Sequence, residues 1–289
     1  MPNGTNGQGG SDASLPTAQL PGPRLYLNGF PKSGLHLLWC WSLAFVEGPA
    51  WEKRPWAGTF EGHAWTTQWA DTEQLFTRLG LLRPGTYLKA HTGWREDIER
   101  KMFDLGLVHI FVYRDPRDVA VSQAYHILAA TDNPDETGKA LFHPGASAIR
   151  EMAQDDFDYI LAASIAGYGP WAGVIERWEL YAGWLDVDWT LSLKYEDMRH
   201  KEFEIAQLLI RYVYGRTARV AGYQLGLFQK DLDESTKHLL QVAEKAREHS
   251  PTFRKGKTGG WREHFTPDHI ELWKQHDPTN WVERLGYEW

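Results

Sequence analysis

The sequence predicts an α/β fold, a mainly parallel central sheet flanked by helices, and three observations carry that expectation. Short strand-like apolar runs alternate with longer helical stretches along the chain. A length of 289 residues suits one large domain with a sizeable core. Chemistry-bearing residues, Lys32, His91, Arg114 and Tyr195, follow or end the strand-like runs, which is where open α/β sheets bind ligands.

The elements follow in chain order. Residues 1–23 are rich in Gly, Ser, Asn and Pro and read as a disordered tail, leaving 24–289 as a single domain. Arg24–Phe30 is a strand whose Leu25, Tyr26 and Leu27 suit a sheet interior, and Gly29, Pro31 and Gly34 break it. Further strands are expected at Thr86–His91, Leu107–Arg114 and Trp189–Tyr195. Helices are expected at Leu35–Val46, Asp71–Leu79, Arg95–Leu105 and Pro116–Ala129. Others are expected at Met152–Ala163, Trp171–Trp184, Glu202–Tyr214, Glu234–His249 and Pro267–Lys274. Pro116 fits a first helical turn, with Asp115 as its N-cap. No internal repeat is visible.

Four segments carry chemistry. Phe30-Pro-Lys-Ser-Gly34 joins a strand to a helix N-terminus, so backbone N–H groups and the Lys32 ammonium surround one point, as phosphate or sulfate binding needs. It is not a nucleotide triphosphatase loop, because Pro31 stands where GxxxxGK[ST] requires glycine. Arg114 ends a strand, and Ser122, eight residues further on, lies about two turns into the next helix. Its hydroxyl can face the phosphate that the guanidinium grips. Arg254 to Thr266 is glycine-rich and dense in cations, suited to wrapping a doubly charged phosphate. Thr86-Tyr-Leu-Lys-Ala-His91 ends in Lys89 and His91.

With these segments in order, the chain resembles the sulfotransferases that use 3′-phosphoadenosine 5′-phosphosulfate (PAPS). The resemblance runs from Arg24 to the C-terminus and implies their P-loop-like fold. Phe30-Pro-Lys-Ser-Gly34 is similar to the loop that holds the 5′-phosphosulfate, which implies Pro31, Lys32, Ser33, Gly34, Leu35 and His36 as contacts. Tyr113-Arg-Asp-Pro-Arg-Asp-Val-Ala-Val-Ser122 resembles the segment reading the 3′-phosphate, through Arg114 and Ser122. Arg254, Lys255 and Gly256 fall in the loop that closes over the nucleotide. Tyr195-Glu-Asp-Met198 resembles the motif whose tyrosine lies near adenine. Lys89-Ala-His91 matches a lysine two residues before the family's catalytic histidine. The implied catalytic residues are His91 as base, Lys32 on the leaving oxygen and Lys89 on the sulfuryl oxygens, with PAPS as donor and no metal.

The chain also departs from that family. Leu35 and His36 stand where it often has two threonines, and Leu37 where a tryptophan stacks on adenine. His36 either donates to a phosphate or packs. Arg262, Thr266, Pro267 and Glu271 fall on a dimer motif of the form KxxxTVxxxE, with proline for valine, so monomer and homodimer both stay open. Trp39, Trp41, Trp51, Trp56, Trp65 and Trp69 read either as packing or, because the resemblance implies that this stretch and the Ile127–Ala163 region border the acceptor, as an aromatic acceptor pocket. Arg117 and Asp118 read as a solvated helix face, and Trp261 as a packing anchor.

Composition narrows the rest. A net charge of −7 argues against a general nucleic-acid binder. The single cysteine, Cys40, excludes a disulfide framework, and with no secretory signal pattern the expected compartment is the cytoplasm. No uninterrupted apolar span suggests a transmembrane helix. The acceptor class stays open among small molecules, glycans and lipids. Two other classes remain: a magnesium-dependent P-loop kinase, and a protein that binds PAPS or PAP without turnover.

Overall fold

In the computed structural model, which describes residues 22–46, 72–129, 144–154, 156–169, 171–222, 229–248 and 257–289, β1 (Arg24–Gly29) is flanked on both edges by parallel strands. Its register with β2 (Thr86–Ala90) runs from Arg24 opposite Thr86 to Asn28 opposite Ala90. With β3 (Val108–Tyr113) it runs from Leu25 opposite Val108 to Gly29 opposite Val112. A two-residue antiparallel ribbon, β4 (Gly167–Tyr168) with β5 (Trp171–Ala172), stands apart. The main sheet is completed by β6 (Leu191–Lys194) beside β3, giving the order β2-β1-β3-β6 with every pair parallel. The chain leaves β1 toward one edge and returns toward the other, so the topological switch point, where sheets of this kind bind ligands, falls at the carboxyl ends of β1 and β3.

Side chains alternate across the strands and build a core on each face. Leu25, Leu27, Val108, Ile110 and Val112 pack with α1 (Leu35–Ser42), including its buried Cys40 and Trp41, and with helices later in the chain. Tyr26, Leu88, Ala90 and Phe111 face the other way, onto α2 (Thr72–Gly80), α3 (Glu96–Asp104) and α4 (Pro116–Ala129). That second layer continues through α5 (Pro144–Ala153), α6 (Phe157–Ala166) and α7 (Val174–Ala182). After β6 come α8 (Tyr195–His200), α9 (Glu202–Val220) and α10 (Gln229–Glu248); the last two cover α1 and its sheet face. The chain then runs through α11 (Pro267–His276) and α12 (Trp281–Arg284). The three layers and the parallel sheet are the expected α/β architecture.

The expected helix boundaries need correction in several places, among them α1, which ends at Ser42 and passes into a 3-10 turn over Leu43–Phe45. One helix over Met152–Ala163 is instead two, because Gln154 turns left-handed at φ 49° and Asp156 caps α6, accepting from the Asp158 and Tyr159 amides. Trp171 begins β5 rather than a helix, and α7 starts after Gly173, where a Cβ would collide with the Ile165 carbonyl. Both α9 and α10 are longer than expected. Arg216, Thr217 and Ala218 prolong the buried stripe of α9, and Leu232 begins that of α10 before Glu234. Pro267 occupies the first position of α11, behind a capping box between Thr266 and His269. Among the described residues no helix is long and apolar enough to cross a membrane.

Candidate functional site

The loop after β1 is held in a conformation its side chains do not favour. Lys32 lies in the left-handed region at φ 68°, and Gly34 at φ 98°. A lysine there costs about 1–3 kcal/mol, a strain found where a loop is shaped for function. The Ser33 amide closes the turn on the Phe30 carbonyl at 3.1 Å. Ser33 is fully buried, and its Oγ has no hydrogen-bond partner. Leu35 packs into the core at the start of α1. His36, one position on, meets Trp39 ring to ring at 4.8 Å, and its buried Nε2 has no hydrogen-bond partner. Burial, then the positive charge of Lys89, pushes the His36 pKa down to about 4.

His91 sits beside this loop. Its Nδ1 lies 2.7 Å from the Gly29 carbonyl. A carbonyl only accepts, so Nδ1 carries the proton and Nε2 the lone pair of the neutral ring. Burial lowers the His91 pKa most; the Gly29 bond opposes this, and the charges of Lys89 and Lys32 add to it, leaving about 4. Lys89 places its ammonium 5.4 Å from the Trp39 ring. The strand end is tied down by a residue that sequence reasoning missed. Asn28 accepts from the Thr92 amide at 2.8 Å and donates to the Thr92 carbonyl at 3.0 Å. Trp184 Nε1 donates to the same carbonyl, and the Tyr181 hydroxyl donates to the His91 carbonyl. The signal was an asparagine inside an apolar strand, just before a glycine.

Arg114 and Tyr195 come together at the ends of β3 and β6. The guanidinium lies 4.7 Å from the Tyr195 ring centroid. Arg114 Nη2 donates to the Lys257 carbonyl at 2.7 Å and to Asp118 at 3.1 Å, while its buried Nε has no hydrogen-bond partner. Tyr195 is itself buried against Gly34, where a Cβ would overlap its ring. Ser122 is half-buried on α4. Asp115 caps that helix as expected, accepting from the Arg117 amide at 2.9 Å.

The expectation for Arg117 and Asp118 is overturned. Both are buried, at 1% and 2% exposure. Arg117 forks onto Asp115 and lies 3.9 Å from the Trp261 ring and 4.9 Å from the Trp289 ring. Asp118 accepts from the Gly259 and Trp261 amides, each at 2.8 Å. Contacts to residues about 140 positions away leave no periodic trace in a helix. Trp261 is a packing anchor, as expected, buried at 4% exposure.

Arg254, Lys255 and Gly256, the tail except residues 22 and 23, and Trp51, Trp56, Trp65 and Trp69 lie outside the described residues, as does part of the Ile127–Ala163 region. Among the described residues, no group of three or more His, Cys, Asp or Glu side chains could hold a metal ion.

A family model described as the sulfotransferase domain matches residues 86–276, from β2 into α11; the loop at 30–36 lies upstream of it. No curated protein matches the chain in sequence. Among solved structures, the mouse sulfotransferase SULT7A1 complexed with PAP is similar at a TM-score of 0.53 and 17% identity, over 91% of this chain and 86% of that one. Retinol dehydratase in complex with androsterone and inactive cofactor PAP is similar at a TM-score of 0.53 and 16% identity, over 93% and 84%. At these identities the likeness is one of fold.

Proposed function

The chain belongs to the sulfotransferase family, and from that premise we propose that it transfers the sulfuryl group of PAPS to an acceptor hydroxyl or amine, giving PAP and a sulfated product. The observation that carries this reading is the gathering of the Lys32 loop, Lys89, His91, Arg114 and Tyr195 around the carboxyl ends of four parallel strands. The two solved structures of similar fold contain PAP. The residues present fit such a ligand. Ser33 Oγ, His36 Nε2 and Arg114 Nε have no hydrogen-bond partner in the protein, a status they share with core ring nitrogens such as Trp41 Nε1 and Trp178 Nε1, and these three lie at the proposed site. Leu35 offers only its backbone N–H.

PAPS supplies an already activated sulfuryl group, so alignment and charge neutralisation are what remain for the protein to provide. Lys32 stabilises the negative charge that grows on the leaving oxygen. Lys89, on the same face of β2 as His91, holds the sulfuryl oxygens. His91 Nε2 takes the proton of the acceptor, because the Gly29 carbonyl fixes the other nitrogen as the protonated one. Lys32 and Lys89 both disfavour a proton on His91. An anion bound between them offsets that charge and makes the imidazole a stronger base when the donor is in place. Arg114 and Ser122 take the 3′-phosphate, with Arg254, Lys255 and Gly256, and Tyr195 lies by the adenine. The proposed compartment is the cytoplasm, supported by a single, buried cysteine.

The test is a panel of phenol, steroid, sugar, lipid and peptide-hydroxyl acceptors with PAPS labelled in the sulfate, run with and without a chelator. Label transfer with equal release of PAP, unaffected by the chelator, is the expected result. Tight PAP binding without transfer to any acceptor would favour a non-catalytic binder. Magnesium-dependent phosphoryl transfer would favour a kinase.

A further inference from the structure

The first turn of α4 carries a carboxylate for which the proposed chemistry has no use. Asp118 faces away from solvent, and both of its oxygens are engaged. Oδ1 accepts from the Trp261 amide at 2.8 Å, and Oδ2 accepts from the Gly259 amide at 2.8 Å and from Arg114 Nη2 at 3.1 Å. Arg114 Nη2 gives its other bond to the Lys257 carbonyl at 2.7 Å. The turn from Lys257 to Trp261 and the Arg114 guanidinium are therefore joined through one buried carboxylate.

The neighbouring residue grips the same turn by its ring. Arg117, fixed by its fork onto Asp115, lies against Trp261, and its Nη2 also donates to the Glu288 carbonyl at 2.9 Å. Backbone and side chain of the turn are thus both anchored to α4. Gly259, at φ 70°, gives the turn the conformation that brings two amides onto one carboxylate.

We propose that Asp118 is a positioning residue for the 3′-phosphate: it spends Nη2 of Arg114 on protein acceptors, which fixes the guanidinium and leaves its other N–H groups for the anion, and it holds the Lys257–Trp261 turn in register with that guanidinium. A buried carboxylate beside a phosphate site repels the ligand. Here its three bonds set the donors in place before the ligand arrives, which lowers the ordering cost of binding. The inference rests on the reading of Arg114 as the 3′-phosphate ligand.

The experiment compares PAP with 5′-AMP, which lacks the 3′-phosphate, by calorimetry on the parent, Arg114→Ala, Asp118→Asn and the double variant. Asparagine keeps the shape of Asp118 but gives up the charge and one acceptor oxygen. The expected result is that Asp118→Asn lowers PAP affinity about ten- to a hundredfold, leaves 5′-AMP affinity unchanged, and adds little in the Arg114→Ala background. Equal losses for both nucleotides would make Asp118 merely structural and overturn the proposal. So would a PAP preference that Arg114→Ala abolishes and Asp118→Asn retains, although the nucleotide reading would then stand. A parent that binds the two nucleotides alike would remove that reading itself. Independently of any variant, PAP should slow amide exchange at Gly259 and Trp261 more than 5′-AMP does; equal exchange overturns the proposal.

Discussion

The ring of Tyr195 occupies the space that a side chain at Gly34 would need. A Cβ on residue 34 would overlap Tyr195 Cδ2 and lie 2.8 Å from Cε2, and the backbone there is left-handed at φ 98°. The Lys32 loop after β1 and the strand end of β6 therefore fit together only through a glycine. Gly34→Ala should destabilise the fold by about 1–3 kcal/mol, the range for overpacking, and weaken PAP binding as well. Urea unfolding and calorimetry check this; unchanged values in both would mean that the ring moves aside freely.

Removing the proposed base should separate chemistry from binding. His91→Ala is expected to cut turnover by about 10²–10⁴-fold with little change in PAP affinity. Asn28→Ala, which releases Thr92 from β1, should lower turnover in the same direction by a smaller factor. Single-turnover rates with saturating PAPS make the comparison. Near-parent rates in the His91 variant would point to a different base.

His36 offers a pH test of the proposed phosphate loop. In the free protein, burial first and Lys89 second hold its pKa near 4. If Nε2 meets a phosphate oxygen, the protonated form binds best and PAP raises that pKa. Affinity should then fall as pH rises from about 4 through the higher pKa of the complex. Phosphate ionisation strengthens binding in the opposite direction, so the informative comparison is His36→Gln, which keeps a donor but cannot charge. Parallel pH profiles for the two proteins would assign His36 to packing.

Folding stability should fall in mild acid. His36 and His91 are pushed down to about 4, and His109, enclosed by Tyr26, Trp184 and Trp189, to about 3, each chiefly by burial. Below the ordinary histidine value of about 6.5 the unfolded chain takes up protons that the folded chain refuses. Each histidine thus contributes a loss of about 1.4 kcal/mol per unit of pKa difference as pH falls from about 6.5 toward 4. Glu196, whose pKa burial raises, works against this with one proton. His109→Phe should flatten the slope of urea midpoint against pH; an unchanged slope would show that His109 does not contribute.

The sheet and the edge that carries the proposed site were legible because they are local. Four apolar runs mark the four strands of the main sheet, and Lys32, His91, Arg114 and Tyr195 stand at or just beyond their ends. Helix ends were less legible where a tertiary contact decided them, as at Gly173 against the Ile165 carbonyl. The supports of the site were least legible. Asp118 matters through amides at 259 and 261, and Arg117 through rings at 261 and 289, so neither partner lies within any window that periodicity can read. Asn28 was readable in principle, since a buried polar residue in a strand needs partners for its amide.

Cys40 is the only sulfhydryl in the chain, and it lies on the buried side of α1. Burial pushes its pKa up to about 11, against the opposing pull of Arg247 and Lys89, so in place it is a poor nucleophile. A thiol reagent reaches it when the packing around α1 opens, on the side of the sheet or of α10, and α1 begins with the residues proposed to hold the sulfate end of the donor. The chain therefore carries its own clock. The rate at which Cys40 is labelled counts openings of the packing around α1 without any engineered reporter, and PAP bound at the proposed site should slow that clock in proportion to its occupancy.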